Sequence, residues 1–165
     1  MSQVSSERIC FSLGLAAPIL LVAFAVALTT LQHIAACPLC IVQRLLYLAI
    51  AGSSLFGLLG RSHVPLRRFS ALLITLFGAT GATVASYQVY LQRNPFTATC
   101  GDGSAWWERL VNLLGSMVPM LFKADGLCSD ESWSLLGLSM PEWSFLAFGG
   151  MLILGLTALF TQREK

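Results

Sequence analysis

Residues Ile41–Gly60, IVQRLLYLAIAGSSLFGLLG, contain a single charge, Arg44. A helix of that length reaches about 30 Å, the thickness of the hydrocarbon core of a bilayer. Three other runs, Ile9–Leu31, Phe69–Leu91 and Trp143–Phe160, carry no charge at all, and each has about the 17 to 25 residues a crossing helix needs. The composition agrees: 56% of the 165 residues are hydrophobic, 11% are charged and the mean hydropathy is +0.74, which suits lipid better than water. The expected fold is an all-α membrane protein, a four-transmembrane-helix bundle in one domain over 1–165.

The first run invites a different reading, because IAAC, ending at Cys37, resembles a lipoprotein cleavage site. A signal h-region has about 7 to 15 residues and follows a basic segment. Here the run is 23 residues, the segment before it has no net positive charge, and Gln32 and His33 intervene before the cysteine. A retained helix is expected.

Charge sets the orientation. Arg8, Arg61, Arg67, Arg68, Arg163 and Lys165 fall at the N-terminus, between the second and third runs, and at the C-terminus. In an even-numbered bundle these share one side, which the positive-inside rule makes cytoplasmic. The other side holds a short loop, about 32–40, and a long one, about 92–142, with three basic residues against six acids. The net charge of +2 thus reflects orientation and gives no reason to expect nucleic acid.

Cys37, Cys40, Cys100 and Cys128 all lie on the non-cytoplasmic side, where an oxidising compartment favours disulfides. Cys10, at the cytoplasmic end of the first run, reads as an ordinary small apolar residue. In ACPLCIVQR, Pro38 suits the first position of a helix, which makes Cys37 the N-cap. Cys40 and Arg44 are then four apart and Cys37 and Arg44 seven apart, so two sulfurs and a guanidinium share one face. A helix N-terminus and a nearby cation both favour the thiolate, the reactive form.

Arg44 also lies within the length needed to span, where a charge marks function by default, although an arginine that snorkels to headgroups is the plainer alternative. Zinc at Cys37 and Cys40 with His33 would need a second close pair of ligands, and the sequence has none. Haem attachment would need histidine where Ile41 stands.

In the long loop, Cys100 follows NPFTAT and Cys128 follows ADGL. Both stretches are rich in turn formers, so both thiols are expected in flexible chain. Between them, WWERLVNLLGSMVPMLF puts Trp106, Leu110, Leu113, Leu114, Met117 and Leu121 on one helical face and Glu108, Asn112, Gly115 and Pro119 on the other. This predicts a short interfacial amphipathic helix lying on the membrane, with a helix packed on its own loop as the alternative. Cys100 and Cys128 form either a static disulfide closing the loop or an exchanging pair.

If both pairs exchange, two electrons from an external dithiol need an acceptor. The sequence lacks G-x-G-x-x-G and any evident haem ligand pair, which leaves a lipid-soluble quinone meeting Cys40 and Arg44. There the arginine would stabilise a thiolate and an anionic reduced quinone.

CPLCIVQR, YLQRNPFTATC and GLCSDESWSLLGLSMPEWS together closely resemble the DsbB family of bacterial inner-membrane disulfide bond formation proteins, in order along nearly the whole chain. The resemblance implies a protein-disulfide oxidoreductase in the bacterial inner membrane that reoxidises a periplasmic DsbA-like thioredoxin-fold partner and passes electrons to ubiquinone or menaquinone. DsbA is a strong oxidant because its reduced form is stabilised, so a quinone fits as acceptor better than nicotinamide. By position, Cys100 would accept the partner's thiolate, Cys128 would be its loop mate and exchange with Cys37, and Cys40 would face the quinone beside Arg44. Some family members carry a histidine near the end of the third helix, near the quinone, where this chain has Gln88, which is either a hydrogen-bond donor to the site or a filler polar residue near a helix end.

Two alternatives belong to other classes. A quinone reductase of the vitamin K epoxide reductase type also joins a bundle to Cys-X-X-Cys, but here the long cysteine-bearing segment follows the third helix and does not precede the pair. A membrane metal-binding or scaffold protein would hold static disulfides or stoichiometric zinc.

Overall fold

The computed structural model describes residues 2–60, 63–94, 106–129 and 133–161. Four long helices dominate: α1 (Ser2–Leu31), α2 (Pro38–Leu59), α3 (Val64–Arg93) and, last in the chain, α6 (Met140–Thr161). Between the third and the last lie α4 (Trp106–Met117), α5 (Pro119–Phe122) and a two-stranded hairpin, β1 (Ser134–Leu135) with β2 (Leu138–Ser139). Among the described residues four helices are long and apolar enough to cross a membrane, over Glu7–Leu31, Pro38–Leu59, Val64–Arg93 and Met140–Thr161. A long helix corresponds to each of the four expected runs, and α2, α3 and α6 begin before those runs do. A 30-residue α3 reaches about 45 Å, longer than the apolar slab, so its first turns with Arg67 and Arg68 extend beyond it.

The bundle is built on small residues. A Cβ added at Gly78 on α3 would come 2.9 Å from the backbone nitrogen of Leu152, and one at Gly155 on α6 would come 2.8 Å from that of Thr75. With no side chain between them, the α3 and α6 backbones approach closely, the usual way membrane helices gain packing where no hydrophobic driving force exists between them. At the centre, Tyr47 of α2 stacks on Phe148 of α6, with centroids 4.1 Å apart and rings 4° from parallel. Leu20, Phe56, Leu59 and Ile153 point outward, each more than 60% exposed. In water such a surface would associate; in lipid it is solvated.

At one end, Glu7 on α1 and Arg67 on α3 form a largely buried ion pair. At the other, α4 and α5 lie across α2 and α1. The single amphipathic helix expected over 106–122 is broken at Val118, because Pro119 disfavours helical backbone in the residue before it and has no N–H to continue the ladder. Of the expected apolar face Trp106, Leu110, Leu113 and Met117 are exposed and Leu114 and Leu121 half-buried, whereas of the expected polar face Asn112 and Pro119 are exposed, Gly115 is half-buried and Glu108 is buried together with Val111. The hairpin is a feature the sequence reading did not foresee. Leu136 (φ 55°) and Gly137 (φ 81°) both take left-handed backbone, the conformation a two-residue hairpin turn requires. Ser139 then precedes α6, and Glu142 turns back to accept from the Ser139 N–H at 2.8 Å, half of a capping box.

Candidate functional site

The site begins at the N-terminus of α2. Cys37 is the N-cap, with extended backbone (φ −85°, ψ 163°), and Pro38 follows as the sequence predicts. The Cys37 sulfur accepts the Cys40 N–H at 3.3 Å, as a capping side chain does. This brings the two sulfurs to 3.0 Å, with the Cys37 thiol donating to Cys40. Both are free thiols, and closing a bond of about 2.05 Å needs them only about 1 Å nearer. The hydrogen bond given to Cys40, with burial second, pushes the Cys37 thiol well above its ordinary range.

Gln88 reaches this pair from α3. Its side-chain nitrogen lies 3.3 Å from the Cys37 sulfur and 3.3 Å from the Cys40 sulfur and donates to both. Its oxygen accepts from Gln43 of α2 at 2.7 Å. Sequence reasoning missed Gln43. The signal was available, since Gln43 stands three residues after Cys40 on the same helical face, but the adjacent arginine drew the attention.

Arg44 is buried at 5% exposure. It does not snorkel: the guanidinium turns inward and donates to the carbonyls of Leu121 at 2.8 Å and Ala25 at 3.2 Å. It thereby ties α1, α2 and α5 together. Arg44, Cys40, Gln43 and Gln88 all border one cavity of about 500 Å³, within the usual size of small-molecule sites. The remaining wall is mostly apolar, from α1 (Leu21, Phe24), the hairpin region (Trp133) and α6 (Trp143, Leu146).

Cys128 is disulfide-bonded and, at 1% exposure, fully buried. Its turn-rich surroundings predict flexible chain, but it packs in one cluster with Cys37, Leu39 and Leu91. The cause is a backbone clamp: the N–H groups of Asp125 and Gly126 both donate at 3.0 Å to the carbonyl of Ala36, the residue before Cys37. Cys100 lies outside the described residues. Cys10 sits far from this group, its sulfur 3.6 Å from the Thr157 hydroxyl.

Four spanning helices, a close dithiol at a helix N-terminus and a disulfide packed against it define a multi-pass membrane protein of thiol–disulfide chemistry. The family model described as Disulfide bond formation protein DsbB matches residues 7–158. Disulfide bond formation protein B of Dechloromonas aromatica (strain RCB) is 43% identical over 148 residues, 88% of this chain and 87% of that protein. The protein of the same name from Herminiimonas arsenicoxydans is 33% identical over 163 residues, 98% of each chain. The chain belongs to the DsbB family, membrane proteins of disulfide bond formation.

Proposed function

We propose that this protein, as one membrane unit over 1–165, is a quinone-dependent oxidase of a periplasmic DsbA-type dithiol protein, lodged in the bacterial inner membrane with both termini in the cytoplasm. The orientation rests on the basic residues gathered at the termini and between α2 and α3. The observation that carries the reading is that one face of the Cys37/Cys40 dithiol adjoins the disulfide-bonded Cys128 while Cys40 borders a largely apolar cavity with Arg44.

In this reading the partner's two thiols reduce a Cys100–Cys128 disulfide. The partner leaves as a disulfide, and its electron pair passes to a Cys37–Cys40 disulfide by a second exchange at Cys128 and Cys37. The free Cys37 and Cys40 thiols beside the bonded Cys128 correspond to the stage before the first pair is reoxidised. Reoxidation closes Cys37–Cys40 and releases two electrons and two protons.

The cavity fits a quinone: apolar walls suit a ring and an isoprenoid chain, and Arg44 spends only two of its five N–H groups on the Leu121 and Ala25 carbonyls in the bonds above. When bound, ubiquinone or menaquinone supplies an acceptor for both electrons. Arg44 holds positive charge where the Cys40 thiolate and a reduced oxygen are otherwise costly. Gln88 donates to both sulfurs without exchanging a proton. The exposed apolar face of α4 rests on lipid at the periplasmic surface.

The test is anaerobic: purified protein in detergent, a reduced DsbA-like protein as donor, and absorbance of the quinone. Loss of the oxidised quinone signal with matching disulfide formation in the donor is expected, and Cys40→Ser abolishes it. No change, with donor and quinone competent in a control reaction, overturns the oxidase reading.

A further inference from the structure

Gln43 and Gln88 are both at most 5% exposed, on different helices, in a segment where an uncharged amide still needs partners. A primary amide has two unlike ends. Toward a thiolate, which only accepts, the N–H end is stabilising and the carbonyl end is repulsive. A half-turn about the last side-chain bond exchanges them. The Gln43 donor at 2.7 Å occupies the Gln88 oxygen and leaves the Gln88 nitrogen, with its two hydrogens, facing two sulfurs at 3.3 Å each.

We infer that Gln43 is a positioning residue that locks the Gln88 amide with its N–H groups toward Cys37 and Cys40, and so stabilises the thiolate form of the pair. The inference deepens the proposed oxidase and rests on the same pair being its redox centre. Toward the sulfurs Gln43 acts through Gln88, since the hydrogen bond it gives ends on the Gln88 oxygen. The groups surrounding the pair leave this effect distinct. Arg44 on α2 is cationic and the Tyr47 phenol of α2 lines the same cavity, α3 supplies neutral Gln88, α4 supplies Trp107 and carries the buried Glu108, and the chain after α5 supplies Cys128, which is disulfide-bonded and has no proton to lose; what these groups contribute cancels when the Gln88→Met background is subtracted. From α1 and α6 the cavity receives uncharged residues.

The test is the pH dependence of Cys40 alkylation by iodoacetamide in the full-length protein with Cys37 and Cys40 reduced, resolved by peptide mass spectrometry. Gln43→Met removes the donor at similar volume. A hydrogen bond to a charged group contributes about 1.5–3 kcal/mol, so the ionisation constant read from the midpoint of the pH curve is expected to fall about tenfold or more, with the midpoint moved alkaline. In a Gln88→Met background the same change is expected to do nothing further.

Gln43→Glu, nearly isosteric, serves if Gln43→Met does not fold: its carboxylate accepts from Gln88 and turns the amide oxygen to the sulfurs. For either variant the quantity read is the shift with Gln88 present less the shift with Gln88→Met. Equal shifts in the two backgrounds, or none in either, overturn the positioning role. The assay uses neither quinone nor partner. A Gln88-dependent shift in a protein that reduces no quinone defeats the oxidase reading alone; equal shifts with quinone reduction intact defeat only the role of Gln43.

Discussion

The backbone N–H of Gly126 donates to the carbonyl of Ala36 at 3.0 Å, and so sets Cys128, two residues on, against Cys37, one residue on. A Cβ at position 126 would stand 2.6 Å from the Ala35 carbonyl oxygen, so any side chain there pushes the segment away. Gly126→Val is expected to slow exchange between Cys128 and Cys37 by about tenfold or more, since a misplacement near 1 Å can cost about 10²-fold. Oxidation of the reduced Cys37/Cys40 pair by quinone should be unchanged. Acid-quenched thiol trapping after mixing with reduced donor measures both steps, and an unaltered exchange rate would show that the clamp does not set the approach.

Arg44 offers a second test, because its charge is held in the bundle by two carbonyls and also borders the cavity. Arg44→Ala is expected to raise the apparent KM for quinone by about 10- to 100-fold, the equivalent of one charged hydrogen bond of about 1.5–3 kcal/mol, with a smaller effect on kcat. Arg44→Lys should recover only part of this, since an ammonium lacks the planar fork that reaches both carbonyls. A quinone KM indistinguishable from that of the unmodified protein would remove this account of the charge.

The spans and the helix start at Cys37-Pro38 were legible because each depends on residues close in sequence: a run without charge, an N-cap, a proline at the first position. What escaped depends on distant partners. Gln43 reads as one polar residue in an apolar run until Gln88, 45 residues on, is beside it. Cys128 reads as part of a flexible loop until the Ala36 carbonyl anchors the segment before it. The hairpin was hidden by Leu136, whose left-handed backbone is rare for a branched apolar residue. Arg44 stands out by its position as the one charge in an apolar run, but nothing local shows that it turns inward to Leu121 and Ala25.

The order of attack can be trapped. With Cys128→Ser and a DsbA-like protein that has one cysteine, supplied as its mixed disulfide with thionitrobenzoate, the Cys100 thiolate displaces thionitrobenzoate, and with neither a loop mate nor a second partner thiol to resolve it a mixed disulfide through Cys100 is expected to accumulate on non-reducing gels. The adduct should be several-fold weaker with Cys100→Ser. An adduct formed through Cys128 instead would reverse the two roles.

The two sulfurs of the first pair should differ in their response to pH. Cys37 is held protonated by its hydrogen bond to Cys40 and by burial, so its thiolate appears only as pH rises past a value above that of an ordinary cysteine. Reduced protein treated briefly with N-ethylmaleimide should therefore be modified first at Cys40, with the share modified first at Cys37 rising only as the pH is made alkaline. Site-resolved mass spectrometry across a pH series checks this. Equal labelling of both residues at neutral pH would show that the asymmetry is absent in solution.

Two glycines on α6 should answer the same substitution with opposite signs. At Gly155 an added Cβ would lie 2.8 Å from the backbone nitrogen of Thr75 and 2.5 Å from its hydroxyl, so alanine must force α3 and α6 apart. Overpacking of this kind costs about 1–3 kcal/mol. At Gly149 the added atom would meet nothing within 4 Å, and alanine there gains helix propensity of up to about 1 kcal/mol. Gly155→Ala is thus expected to lower the Tm in detergent and Gly149→Ala to hold or raise it. A Gly155→Ala protein as stable as the parent would mean that the two helices are not held together at this crossing by backbone contact.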